Sequence, residues 1–173
     1  MKRIVTALVN NNAGVLNRIT GLFSRRNYNI ESITVGVTEN PSISRMTFVV
    51  NVDSMKNIEQ VIKQLHKQID VLKVKDITDE AIVARELALI KIAVTAPQRP
   101  EVMALIDPFR ASVIDISHES MTIQITGDQR KVDTFIDLLR PYGIKELART
   151  GITAFNRGTK KTVSDPYRLT LIN

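Results

Sequence analysis

Residues 10–46 read N-N-N-A-G-V-L-N-R-I-T-G-L-F-S-R-R-N-Y-N-I-E-S-I-T-V-G-V-T-E-N-P-S-I-S-R-M. This stretch decides the fold, because the spacing of its apolar residues changes twice. Ile4 to Val9, just before it, form a short run apolar enough for a strand buried on both faces. After the asparagines, Val15, Leu16, Ile19, Leu22 and Phe23 recur at helical spacing. Arg25 and Arg26 fall in the last turn, where cations suit the carbonyl end, and Asn27 tolerates the left-handed stop. The pattern then alternates, with Ile33, Val35 and Val37 on one face and Ser32, Thr34 and Gly36 on the other. Glu39-Asn40-Pro41-Ser42 turns the chain, and Met46, Phe48, Val50 and Val52 return in phase.

The helix start in this stretch carries no acid. Gly14, Val15, Leu16 and Asn17 stand where Asp or Glu would usually settle the exposed amides and the positive dipole end. Such a start is open to an external anion. On these residues alone, an ordinary asparagine cap with a flexible turn is the simpler explanation.

Outward from here, Ser54 is placed to cap a second helix whose Ile58, Val61, Ile62, Leu65 and Ile69 form a stripe. Residues 71–77 make a closing strand, completing βαββαβ. The order then repeats. Residues 86–95 are a strand, and Pro97 and Pro100 bracket a helix start. Val102, Leu105, Ile106 and Phe109 face inward, and Pro108 ends or kinks that helix. Residues 111–116 and 121–126 pair around Ser117-His118-Glu119-Ser120. Asp128 opens a helix with Val132, Phe135, Ile136 and Leu139, and residues 144–153 close the unit with a break near Gly151.

The expected fold is therefore α+β: two ferredoxin-like βαββαβ domains at 1–78 and 86–158, a polar linker at 79–85, and a tail at 159–173 without regular order. Helices on one side leave one sheet face of each unit uncovered, and a second chain is the usual cover.

Composition narrows function mainly by exclusion. There is no Cys, so disulfides and thiolate metal sites are absent. No apolar stretch approaches the roughly 20 residues that span a bilayer. The run after Met1-Lys2-Arg3 is too short for a signal peptide, so a cytoplasmic protein is expected. The formal charge of +6 is spread along helix faces. Aromatics are 5% of the chain, and the strand R-M-T-F-V-V (residues 45–50) has one aromatic and no glycine, unlike a sheet that stacks RNA bases. His66 and His118 have no partners suited to metal or general-base work, and no G-x-S-x-G, P-loop or G-x-G-x-x-G occurs. Neither nucleic acid nor membrane is an expected partner.

The residues N-N-A-G-V-L-N-R-I (11–19) with G-L-F-S-R-R-N-Y-N-I-E-S (21–32) resemble the amino-terminal ACT domain of the acetolactate synthase small-subunit family. V-G-V-T-E-N-P-S-I-S-R-M-T (35–47) continues that pattern, and V-A-R-E-L-A-L-I-K-I (83–92) resembles the start of the family's second domain. Gly-Val-Leu is shared by ACT-type helix starts in general, whereas N-I-E-S with S-R-M-T is far more specific.

The resemblance implies a non-catalytic regulatory subunit that forms homodimers through its ACT domains. It implies binding and activation of a large catalytic subunit that condenses pyruvate with pyruvate or 2-oxobutyrate. It also implies feedback inhibition by valine or another branched-chain amino acid. No cofactor is implied on this chain; the large subunit is expected to carry thiamine diphosphate, Mg2+ and FAD. By the same resemblance, Asn11 and Ala13, with the amides of Gly14, Val15 and Leu16, take the effector's polar end, and Asn29 and Ile30 come from the neighbouring chain. Asn10 departs from the acid often found there, Asn17 from a small residue, and Asn27 from a frequent Gly. A stand-alone ACT-domain amino-acid sensor with another protein partner is the alternative.

Overall fold

A computed structural model describes residues 1–158, and the expectation for the tail at 159–173 lies outside the described residues. In the first unit, β1 (Lys2–Asn10), α1 (Val15–Arg25), β2 (Asn29–Val37), β3 (Ile43–Asn51), α2 (Met55–His66) and β4 (Val71–Asp76) build an antiparallel sheet in the order β2-β3-β1-β4. The second unit follows with β5 (Ile82–Ala93), α3 (Arg99–Phe109), β6 (Ser112–Ile116), β7 (Ser120–Gly127), α4 (Gln129–Leu139), β8 (Ile144–Arg149) and β9 (Thr153–Asn156). Its sheet runs β6-β7-β5-β8, with β9 paired to the first part of β5. The fold is α+β, with βαββαβ order in both halves as the periodicity indicated.

Strand alternation sorts the first core. Val5, Ala7 and Val9 of β1 and Met46, Phe48 and Val50 of β3 turn one way, onto Val15, Ile19 and Phe23 of α1 and Ile58, Val61 and Leu65 of α2. The Phe23 and Phe48 rings lie 5.2 Å apart, within the range of a favourable aromatic pair. In the second unit Ile90, Ile92, Met121 and Ile123 meet Val102, Val132 and Phe135 in the same manner.

Four local expectations change. Residues 82–85 are strand rather than linker, pairing Ile82 with Asn156 through Arg85 with Thr153. The α2 helix ends at His66, so Ile69 leaves the apolar stripe and is 91% exposed. There the chain bends so that Val71 can donate to the Gln68 carbonyl and start β4. In α1, Leu16 leaves the buried stripe and is exposed. Ser54 occupies the N-cap position of α2 without a side-chain capping bond. Elsewhere, Pro108 sits inside α3, which stops one residue later as Arg110 adopts a left-handed conformation.

The sheet face away from the helices is also not left bare along its whole length. Val49 and Ile77 form a buried cluster there with Ile152 and Ala154, with Ile4, Ile82 and Ala84 packed against it. The β5–β9 ribbon therefore covers part of the first sheet from within the same chain. The segment after β4 is tied down as well. Arg3 Nε donates to Asp76 at 2.7 Å, its Nη2 donates to Asp79 at 2.6 Å, and the Ile4 amide donates to Thr78 Oγ1 at 2.8 Å.

Removing the Phe48 ring takes away the centre of the first core. Phe48→Ala is expected to lower stability by about 3–5 kcal/mol in urea unfolding of the full chain, and an unchanged midpoint would contradict this packing.

Candidate functional site

The α1 start is built from backbone rather than from a side-chain cap. Gly14 occupies the N-cap position at φ +81, a left-handed conformation that costs an L-residue about 1–2 kcal/mol. Glycine is therefore favoured by the turn itself, and it stands at the cap rather than inside the helix. No side chain caps the helix and no acid occupies its first turn, so the asparagine cap is not what forms here. The Gly14 carbonyl accepts the first helical bond, from the Arg18 amide at 3.0 Å. The Val15 amide donates to the Asn12 carbonyl at 3.3 Å, and the amides that follow in the first turn have no intrahelical partner, which leaves the positive dipole end open.

Neighbouring segments hold the loop before this helix. The Asn10 amide donates to the Asp70 carbonyl at 2.9 Å, and the Asn11 amide donates to the Ser42 carbonyl at 2.7 Å. Asn11 Nδ2 donates to the Pro41 carbonyl at 3.0 Å, so that donor is spent on the β2–β3 turn and Oδ1 remains. Asn40 braces the same turn by accepting from the Ser42 amide at 3.0 Å and from its hydroxyl at 2.6 Å.

One residue that the sequence reading left aside joins the site. The guanidinium of Arg18 pairs with the buried Asp70, and its Nη1 would lie 3.5 Å from a Cβ built on Gly14. Four residues separate Arg18 from Gly14, which places them on one helix face; that spacing was the available signal. With a half-exposed guanidinium beside an uncapped helix start, the local field favours a small anion such as a carboxylate.

Asn11, Ala13, Gly14, Val15 and Leu16 thus lie together at one end of the first sheet; Val15 is buried and the other four are exposed. Asn29 and Ile30 do not join them. The register pairs Asn29 with Asn51 and Lys2 with Asn51 at one end, and Val37 with Ser44 and Asn10 with Ile43 at the other. At about 3.3 Å per residue, the length of β2 puts roughly 25 Å between the two groups within one chain.

Three clefts lie between the two units. One of about 590 Å³ is lined by Val35, Val37, Arg45, Leu87 and Phe155; another of about 530 Å³ by Ile30, Glu86, Arg149 and Gly151. A third of about 570 Å³ is lined by Lys2, Ala84, Gln129 and Asp133. None of the three is lined by residues 11–16. Among the described residues, no cluster of His, Asp and Glu is placed to hold a metal ion, and no helix is long and apolar enough to cross a membrane.

Two family models divide the chain between them. Residues 5–73 match the ACT domain of the AHAS small-subunit type, and residues 85–158 match the small subunit of acetolactate synthase. The acetolactate synthase small subunit of Bacillus subtilis is 56% identical over 99% of this chain and 100% of its own length. The chain belongs to the acetolactate synthase small-subunit family. A probable acetolactate synthase small subunit from Archaeoglobus fulgidus is 53% identical over 93% of this chain and all of its own. The crystal structure of the small subunit from Thermotoga maritima superposes with a TM-score of 0.83 at 42% identity, covering 92% of this chain and 99% of that one. The ACT unit of this small subunit is thus the one that carries the uncapped helix start.

Glu31, next to Ile30, gives the region a pH signature. Partial burial opposes its ionisation, but Lys2, Gln129 and Asn51 all donate to its carboxylate and hold its pKa below the ordinary 4.5. A depressed folded-state pKa stabilises the protein above the unfolded value and loses that contribution as pH falls through the folded one. Glu31→Gln is therefore expected to lower the urea midpoint near neutrality and to flatten its decline below pH 4.5, so that the two curves converge at low pH. Parallel curves for both proteins would contradict this assignment.

Proposed function

We propose that this chain is the regulatory subunit of an acetolactate synthase. It binds the thiamine-diphosphate-dependent large subunit, raises its activity, and confers inhibition by valine or a related branched-chain amino acid. The observation that carries the effector half of this reading is the acid-free, uncapped start of α1 at Gly14. The effector's carboxylate accepts bonds from the first-turn amides, each contributing about 1.5–3 kcal/mol when charge-assisted. Arg18, paired with Asp70, keeps a half-exposed guanidinium beside the same point. The remaining Asn11 oxygen is free to accept from the ammonium group.

Sheet geometry supports a site made from two chains. β2 is an edge strand, and Val35 and Val37, in phase with Ile33 on the helix side, remain 43% and 60% exposed. A two-fold dimer pairing β2 edges must run them antiparallel. That arrangement places Asn29 and Ile30 of the partner subunit beside Val37, at the sheet end where β1 enters α1. Leu16, exposed on α1, then joins Val35 and Val37 in an apolar surface that a second copy covers. An effector held between chains couples its binding to dimer geometry, as allosteric control requires.

Two measurements test the proposal. The purified chain is expected to form no acetolactate from pyruvate, but to raise the rate when mixed with the large subunit; no increase would contradict it. Gly14→Asp is expected to stay folded while losing saturable valine binding by calorimetry, because its carboxylate occupies the anion site and repels the ligand. Wild-type valine affinity in folded Gly14→Asp would place the site elsewhere.

A further inference from the structure

Strand β2 meets the second unit through the Glu31 carboxylate, which accepts from Gln129 of α4 at 3.3 Å, and at a bend after β8. On its face away from the helices, Thr34 Oγ1 donates to the Ile152 carbonyl at 2.8 Å and lies 3.5 Å from the Thr150 carbonyl. Between them Gly151 has φ +82, and a Cβ there would sit 2.9 Å from Ser32 Cβ and 3.3 Å from Thr34 Oγ1. No side chain fits that gap. The backbone of the second unit is thus seated directly on the side chains of β2.

The bend is rigidly attached to its own unit. The Thr150 amide donates to the Leu87 carbonyl at 3.0 Å, and the Leu87 amide donates back to Thr150 Oγ1 at 3.1 Å. Arg149, the preceding residue, pairs with the buried Glu86 of β5 and donates to Asp133 of α4 at 2.7 Å. Movement of the bend therefore carries β5 and α4 with it. On the other side, the register of β2 against β3 shifts between Ile30 and Ser32. That irregularity separates the proposed effector residues Asn29 and Ile30 from Ser32 and Thr34. Bulged pairing is where a strand changes twist without losing its flanking ladder bonds.

We infer that Ser32 and Thr34, clasped on Gly151, form the contact through which effector occupancy at the end of β2 repositions the second unit. The inference rests on the regulatory reading above. Coupling of this kind needs a contiguous physical path with discrete arrangements, and the clasp supplies backbone-to-side-chain contact at each step.

The test uses full-length variants reconstituted with the large subunit. Thr34→Val removes the donor while keeping side-chain shape, Thr34→Ser keeps the hydroxyl, and Gly151→Ala forces the clasp apart. Expected for Thr34→Val are wild-type activation, valine affinity within about twofold by calorimetry, and at least a tenfold rise in the valine needed for half-inhibition, about 1.4 kcal/mol of coupling. Thr34→Ser should restore inhibition, and Gly151→Ala should resemble Thr34→Val. Wild-type inhibition in folded Thr34→Val and Gly151→Ala would overturn the clasp's role while leaving the regulatory reading standing. Absence of valine binding and inhibition in the wild-type chain would overturn both.

Discussion

A four-stranded sheet with helices on one side has a second face that must also be dealt with, and most of this molecule follows from that constraint. Phe48 and Val49 are neighbours on β3, and both are buried. Alternation sends Phe48 into the helix-covered core and Val49 toward Ile77, Ile152 and Ala154. Burying apolar side chains on both faces stabilises the chain, at about 25 cal/mol for each Å² of apolar surface removed from water. The second unit is held against the first by that burial, and its β5–β9 ribbon is the surface that supplies it.

The cover is partial, and the proposed dimer contact lies in the part left over. Toward the end of β2, Val35 and Val37 remain exposed. An edge strand with exposed valines is a surface that natural proteins pair or protect. The proposed dimer pairs it. The same pairing brings together two groups of residues that one chain holds at opposite ends of its sheet. The domain junction and the proposed effector site both depend on how one strand, β2, is covered: Ser32 and Thr34 by the second unit, and, in the proposed dimer, Asn29 and Ile30 by a second copy.

Much of the fold was legible in the sequence because each element announces its period locally. Met46, Phe48 and Val50, or Ile58, Val61 and Leu65, need no knowledge of their partners to be recognised as one face. What escaped was set by contacts between distant segments. Ile82 and Ala84 alternate over too short a run to stand out beside Asp79 and Glu80, and they become strand by meeting Val49 and β9. Ile69 sits in phase with α2, yet the bend that starts β4 ends the helix before it. Gly14 stands in the sequence only as a missing acid at the helix start, whereas its positive φ is a property of the folded turn. Beyond its spacing from Gly14, nothing local marks Arg18 apart from the other arginine of α1; its pairing with Asp70 is what holds it beside Gly14. Gly151 was seen as a break, whereas the reason no side chain is accommodated there lies with Ser32, more than a hundred residues away.

The central claim is that one effector site is shared between two chains, and subunit mixing tests it most directly. Gly14→Asp disables the helix-start half and Asn29→Ala the strand half, so neither homodimer should bind valine. After subunit exchange, each heterodimer holds one site with both halves intact. Random pairing then restores about a quarter of the wild-type sites, measurable by calorimetry. Recovery near that level supports a site built across the two-fold axis. If mixing restores no binding, although exchange is verified and each variant is folded, the two groups of residues do not belong to one shared site.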